Sequence, residues 1–201
     1  MAYQEFVGRW AFAESDNYDK YLEEIAIGWT HRAEAKMTRP ILTFEVTNEG
    51  KHWKITFETM FKSLVNEFDL GTEFVEETVD GRKMMSKFTF VDGTLFQTQS
   101  KIEPRDKDSE FELCIESGGE KDMLVITCRS GDVTAFRVYN AIREGTSEIG
   151  QAIKKPKTVV SEHSVEPAGQ SSLITNYNFC KVKQIWNFEN EAATRLLTKL
   201  K

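Results

Sequence analysis

At 201 residues, 29% charged and 40% hydrophobic, the chain has the size and balance of one soluble globular domain, or of one domain with an appendage. Its net charge of −6 is unevenly spread: residues 1–142 hold 17 Lys and Arg against 26 Asp and Glu, and residues 143–201 hold 9 against 6. An acidic main body argues against nucleic-acid binding, which draws most of its affinity from a basic face, and no run approaches the ~18–20 apolar residues that span a bilayer.

The N-terminal stretch MAYQEFVGRW has neither the basic start nor the apolar run of a secretory signal, so an intracellular, cytoplasmic chain is expected. Cys114, Cys128 and Cys180 are odd in number and share no CxxC spacing. That pattern fits reduced thiols better than a disulfide framework or a zinc site.

Gly8 to Phe12 reads as a short strand. From Tyr18 the period changes: Tyr18, Tyr21, Leu22 and Ile25 fall at i, i+3, i+4 and i+7, one face of a helix. Gly28 breaks that helix, and Thr30 is the expected cap of a second short one running to Met37, stopped by Arg39-Pro40.

From Ile41 the texture is β. Glu49-Gly50, Gly71, Asp80-Gly81, Asp92-Gly93, Gly118-Gly119 and Gly131 separate successive strand-like runs, and Asp-Gly between such runs is a hairpin signal. With no helix between strands after Pro40, the reading is an antiparallel meander of nine or ten strands. Closing a meander into a barrel removes its edges, and a barrel near this size encloses side chains or one small ligand. A helical pair between the first two strands then lies across one barrel mouth. Thr56, Gln97, Thr98, Gln99, Ser100, Cys128 and Arg137 all fall in strand-like runs, which suits a partly wet cavity.

Enzyme chemistry finds little support. His31, His52 and His163 accompany no Gly-x-Ser-x-Gly, no His-Glu-x-x-His and no phosphate loop.

The stretch FVGRWAFAESDNYDKYLEEI, with Gly8, Trp10, Asn17-Tyr18-Asp19, Tyr21-Leu22 and Ile25, resembles the N-terminal signature of the intracellular fatty acid-binding proteins of the calycin superfamily. MTRPILTF, FDLGTEF, TVDGRK, FVDGTL and VTAFRVYNA extend the resemblance in family order through residues 1–142. It implies an all-β fold, a ten-stranded antiparallel up-and-down barrel under a two-helix lid. It also implies a non-enzymatic, monomeric carrier of a long-chain fatty acid, with no cofactor and with transient membrane contact at the lid. A retinoid or other hydrophobic-ligand carrier is the alternative within the fold. An interaction module that presents its C-terminal tail is the alternative outside it.

The resemblance assigns the carboxylate site to Arg137 and Tyr139. The chemistry is sound, since Arg offers fixed N–H donors and a phenol adds a neutral one. Strict alternation alone would instead turn Arg137 and Tyr139 to solvent and Phe136 and Val138 to the core; the resemblance reverses that orientation. A second arginine of the family has no counterpart in SEFELCIESGGEKDML. Ile115 aligns there, with Leu113 two before it, and a slip of one residue would substitute Glu116.

By the same resemblance Tyr18, Tyr21, Leu22 and Ile27 are lid residues facing the ligand, and Ala35 and Pro40 mark the lid's exit. Ile55, Phe57 and Thr59 share a strand face, and Phe61 is the portal aromatic, with Lys62 beside it a candidate membrane contact. Val79, Asp80 and Arg82 form the opposite portal turn, and Ile126 and Cys128 lie near the head group. For each aliphatic residue plain core packing is the competing reading, and for Asp80 and Arg82 a solvated turn. Trp10 is expected to plug the closed end of the barrel.

Residues 143–201 lie beyond the resemblance. The segment to Ser172 reads as a Ser/Pro/Gly/Lys-rich linker, LITNYNFCKVKQIWNF can pair as β, and NEAATRLLTKLK carries Leu196, Leu197 and Leu200 on one helical stripe. A largely disordered extension is expected.

Overall fold

The computed structural model describes residues 2–117 and 122–143. The expectations for the chain from residue 144 onward lie outside the described residues. A 3-10 turn, Ala2–Phe6, leads into β1 (Gly8–Asp16), α1 (Tyr18–Glu24) and α2 (Trp29–Met37). Nine further strands follow: β2 (Ile41–Thr47), β3 (His52–Glu58), β4 (Ser63–Asp69), β5 (Glu73–Glu77), β6 (Lys83–Val91), β7 (Thr94–Lys101), β8 (Ser109–Glu116), β9 (Met123–Ser130) and β10 (Val133–Ile142). They form one antiparallel sheet in the order β4-β3-β2-β1-β10-β9-β8-β7-β6-β5, which wraps into a nearly closed barrel with the two helices between β1 and β2.

β1 runs four residues past the expected Phe12. It pairs with β2 only over Gly8–Ala11 but follows β10 to Asp16, with a register shift between Phe12 and Glu14. Such a shift leaves one residue out of the ladder and bends the strand, and the polar Glu14-Ser15-Asp16 end hid its length.

The lid also corrects an expectation. Gly28, not Thr30, is the N-cap of α2, and no side chain caps that end. At α1, Asn17 adopts a left-handed conformation (φ 57°), and its side chain donates to the Thr134 carbonyl at 2.7 Å, tying the lid to β10 instead of capping the helix. α1 buries Tyr21 and Leu22, followed by Ile25, whereas no residue of α2 is buried. α2 is held to α1 by ion pairs, Lys36–Asp19 at 3.0 Å and Arg32–Glu23 at 3.2 Å, and Lys107 fastens Glu24 at 2.7 Å. Exposed pairs of this kind contribute little each.

The opposite end is filled. Phe6, at the end of the 3-10 turn, meets Phe44, Trp53 and Phe90 at ring-centroid distances of 5.6–5.9 Å. The indole N–H of Trp10 donates to the Phe6 carbonyl at 2.9 Å, and that of Trp53 to the Gly50 carbonyl at 2.8 Å. Each buried aromatic contributes roughly 2–3 kcal/mol by area. Gly50 cannot be replaced cheaply: its φ is +93°, and a Cβ there would lie 2.7 Å from the Tyr3 ring.

β4 and β5 are the two ends of the sheet order, and side chains bridge them. Phe68 stacks on Phe74 (5.5 Å) and on Phe88 (3.9 Å) toward the filled end. Asn66 donates to Glu76 at 2.7 Å, and the Lys62 ammonium donates to the Val79 carbonyl at 2.7 Å.

On the outer wall His52 of β3 lies between two carboxylates of β4, with Nδ1 2.8 Å from Asp69 and Nε2 2.9 Å from Glu67. The hydrogen bond to Asp69, then that to Glu67, raises the imidazole above its ordinary value of 6.5. A raised folded-state value stabilises the fold fully below the unfolded value, and this contribution disappears as pH rises through the folded one. The His52 ring should therefore titrate above 6.5 by NMR, and Asp69→Asn should bring it down; an unchanged midpoint in Asp69→Asn would contradict the pairing.

Candidate functional site

Between the lid and the aromatic floor lies a cavity of about 210 Å³. Its wall alternates as a barrel wall must, with residues two apart sharing the inner face. Ile55 and Phe57 of β3, Gln97 and Gln99 of β7, Phe111 and Leu113 of β8, Ile126 and Cys128 of β9, and Arg137 and Tyr139 of β10 all line it. The same alternation corrects three expectations: Thr56 and Thr98 lie between inward-facing neighbours, Ser100 follows the inward-facing Gln99, and none of the three is among the lining residues. Thr98 and Ser100 are exposed.

Arg137 lies opposite Ile126 of β9 and Ser15 of β1. Among the described residues it makes no ion pair. Its guanidinium is surrounded by ring faces instead, 4.5 Å from the Tyr18 centroid, 5.2 Å from Phe12 and 5.3 Å from Tyr139. Its Nε and the Tyr139 hydroxyl are both buried and have no hydrogen-bond partner. Burial works against the charge, but Tyr139, Tyr18, Cys128 and Tyr21 together outweigh it and hold the guanidinium above its usual value. Arginine remains charged in any case. Burial likewise pushes up the phenols of Tyr139, Tyr18 and Tyr21, and the Cys128 thiol to about 12, with Arg137 opposing the shift for Tyr139, Tyr18 and Cys128. At neutral pH these groups are neutral, so Arg137 Nε and the Tyr139 O–H face the cavity as buried donors without partners, while Arg82, held by Asp80, lines the same cavity with a buried unpartnered Nη1. An unmade buried hydrogen bond costs about 1–3 kcal/mol, and an anion with lone pairs to offer satisfies both donors at once.

The opposite wall carries a second polar centre that sequence reasoning did not single out. Glu76 of β5 is 7% exposed and lines the cavity. Its Oε1 accepts from Asn66 at 2.7 Å, and its Oε2 from Ser86 at 2.5 Å and from Gln97 and Gln99 at 2.7 Å each. The available signal was Gln97 and Gln99, two apart on one strand and noted as candidate inward polar groups; a Glu within EFVEE ordinarily reads as solvent-facing.

A second cavity of about 140 Å³ sits at the rim, between the lid and the β3–β4 and β5–β6 turns. It shares Tyr18, Leu22, Phe57, Val79, Asp80 and Arg137 with the first. Ile27, Ala35, Thr59 and Lys62 line this rim cavity. Thr59 Oγ1 accepts from the backbone N–H groups of Phe61 and Lys62, shaping the turn. The turn across from it is fixed by Arg82, whose Nε lies 2.6 Å from Asp80, and by the Thr78 hydroxyl, 2.9 Å from Asp80.

Of the residues singled out from sequence, Tyr18, Tyr21, Leu22, Ile55, Phe57, Val79, Asp80, Arg82, Ile126, Cys128, Arg137 and Tyr139 border the main cavity. Phe61 borders neither cavity and is 69% exposed at the rim. Pro40 is fully buried just before β2 and also borders neither. Ile115 packs against the core below the cavity, while Leu113, two residues earlier, borders it and lies across Ile126 from Arg137. Among the described residues no cluster of His, Cys, Asp and Glu is suited to a metal ion, and no helix is long and apolar enough to cross a membrane.

Comparison with known proteins agrees with this architecture. No family model matches the chain. Fatty acid-binding protein homolog 5 of Caenorhabditis elegans is 39% identical over 144 residues, which is 72% of this chain and 100% of the relative. Fatty acid-binding protein 5 of Bos taurus is 34% identical over 139 residues, 69% of this chain and 96% of the relative. Among solved structures, apo lipid binding protein 8 of Caenorhabditis elegans superposes with a TM-score of 0.63 at 31% identity, covering 69% of this chain and 96% of its own. A Schistosoma mansoni fatty acid binding protein in complex with arachidonic acid gives a TM-score of 0.61 at 29% identity, covering 71% and 100%. With its barrel, its lid and relatives above 30% identity matched along nearly their whole length, the chain belongs to the fatty acid-binding protein family.

Proposed function

We propose that this protein is a cytoplasmic, monomeric carrier that binds one long-chain fatty acid inside the barrel and catalyses no reaction. The observation that carries the reading is the buried Arg137 guanidinium beside the Tyr139 hydroxyl, each with an unpartnered donor facing an otherwise largely apolar cavity. The solved relative that holds arachidonic acid is an independent support, since it shares the barrel. In this reading the carboxylate accepts from Arg137 and Tyr139, and the hydrocarbon runs along Ile126, Leu113 and Phe57 toward the rim. Apolar burial of the chain supplies most of the affinity, and the charge-assisted bond selects an acid over a neutral lipid.

Entry takes place under the lid, where α2 has no buried residue and is tethered by exposed ion pairs. Phe61, Met60 and Trp29 expose apolar surface at this end of the barrel, and Lys62 adds a positive charge, the combination that suits brief contact with a membrane during delivery. Few buried contacts mean cheap local opening. Amides of residues 16–38 and around Phe61 should exchange faster than those of the strands and slow when fatty acid is added. Uniform protection that ligand leaves unchanged would count against entry under the lid.

Arg137→Gln keeps polarity and much of the volume but removes the charge. A hydrogen bond to a charged group contributes about 1.5–3 kcal/mol, so fatty-acid affinity should fall roughly tenfold to a hundredfold. Affinity for the corresponding fatty alcohol should change much less, and Tyr139→Phe should give a smaller loss of the same kind. Titration calorimetry with acid and alcohol side by side checks this. An equal response of both ligands to Arg137→Gln would remove the carboxylate anchor.

A further inference from the structure

Three rings enclose the Arg137 guanidinium, and they come from different parts of the fold. Phe12 of β1 and Tyr139 of β10 belong to the barrel wall, with centroids 5.2 and 5.3 Å from the guanidinium carbon. The nearest, Tyr18 at 4.5 Å, belongs to α1. The enclosure is therefore complete only while α1 is in place beside β10.

Two contacts hold it there. Asn17 donates to the Thr134 carbonyl at 2.7 Å, on the strand that carries Arg137 three residues further on. One turn along the helix, Tyr21 stacks on Tyr18 with centroids 5.7 Å and planes 20° apart, and its hydroxyl donates to Ser109 Oγ at 3.0 Å. Tyr21 and Ser109 are both buried, so this bond is made away from water. Phe111, two residues beyond Ser109 on β8, meets the Tyr21 ring edge-on at 6.1 Å. The contacts form a row: Ser109 fixes the end of Tyr21, Tyr21 supports Tyr18, and Tyr18 lies against Arg137. Packing of α1 does not itself require a phenol at position 21, since a phenylalanine would bury there with no hydroxyl to satisfy.

A ring face attracts the cation but accepts no N–H bond, so Tyr18 does not compete with a carboxylate for Arg137 Nε. It does keep water from one side of the guanidinium, and an ion pair is stronger where water is excluded. A neutral hydroxyl in the same place gains far less from that exclusion.

We infer that Tyr21 and Ser109 are positioning residues for the head-group site, acting through Tyr18 on Arg137, and that this row favours a fatty acid over a neutral lipid of the same length. The inference rests on the fatty-acid reading above and assigns part of its acid selectivity to the lid.

The test is titration calorimetry of the full chain with octadecenoic acid and with octadecenol. Tyr18→Leu should lower acid affinity about tenfold, and Tyr18→Phe, which keeps the ring face, by less than about twofold. Tyr21→Phe and Ser109→Ala should each lower it about threefold, and the double variant should lose no more than the single ones, because both remove the same bond. Alcohol affinity should stay within about twofold throughout, which a general loosening of the barrel would not allow. Should Ser109→Ala fail to fold, Tyr21→Phe, which leaves the ring in place, decides alone. Acid affinity unchanged by Tyr21→Phe, or equal losses for acid and alcohol, overturns the inference and leaves the carrier reading standing. An unaltered protein that binds neither ligand overturns both.

Discussion

A guanidinium enclosed by a protein wall must be answered by something, and Arg137 sets the terms for much of this structure. Removing an ion from water costs several kcal/mol unless charge or dipoles replace the lost solvent. Here the replacement within the protein is incomplete. Tyr18 stacks on the charge, Phe12 and Tyr139 add their faces, and the thiol and phenols nearby are kept neutral by the same burial. Ring faces attract a cation but do not accept the N–H bonds, which is why Nε stays unpartnered. The lid is part of this arrangement, because Tyr18 belongs to α1 and Asn17 fastens that helix to β10, the strand that carries Arg137.

The two ends of the barrel solve opposite problems with the same inward-facing alternation. Toward the floor the inner positions are aromatic, and Phe6 fills the space with Trp53 and Phe90 edge to face and with Phe44 at a tilt. Higher up the inner positions include Asn66, Glu76, Gln97, Gln99 and Arg137, which cannot be packed against hydrocarbon without losing partners. The polar groups preserve an open volume where an all-aliphatic wall would collapse or over-pack. Fold and cavity are therefore distinct consequences of one sequence: alternation builds the wall, and the chemistry of its inner members decides where it is filled.

Much of the fold was legible because the turns announce themselves. Asp80-Gly81 and Asp92-Gly93 separate strands at the expected places, and the switch of period at Tyr18 marks the lid. Local signals failed where polar residues occupy regular structure: Glu14-Ser15-Asp16 concealed the end of β1, and Thr30 looked a better cap than Gly28. The orientation of Arg137 was beyond any periodicity argument, since Phe136 and Val138 make the opposite face equally plausible as core. It was carried by the family resemblance, and the strand register places it inward. Ile115 packs against the core, and Leu113, two residues earlier, borders the cavity. Pairing through β9 sets Leu113 across from Arg137, and only the register of two successive hairpins fixes that level. Glu76 left no local trace, because burial of a strand glutamate depends on donors from three other strands.

The seam between β4 and β5 connects these features. Backbone pairing holds every other boundary of the barrel, but this one depends on side chains, arranged by depth. The Phe68–Phe74 stack closes it near the floor, the Asn66–Glu76 bond closes it beside the cavity, and Lys62 reaches the Val79 carbonyl at the rim. The rim contact, an exposed lysine bond, lies next to the lid whose second helix buries nothing. Glu76 stands between the rim contact and the aromatic stack, where the polar wall of the cavity begins. One buried glutamate thereby joins the β4–β5 seam to the polar wall of the cavity.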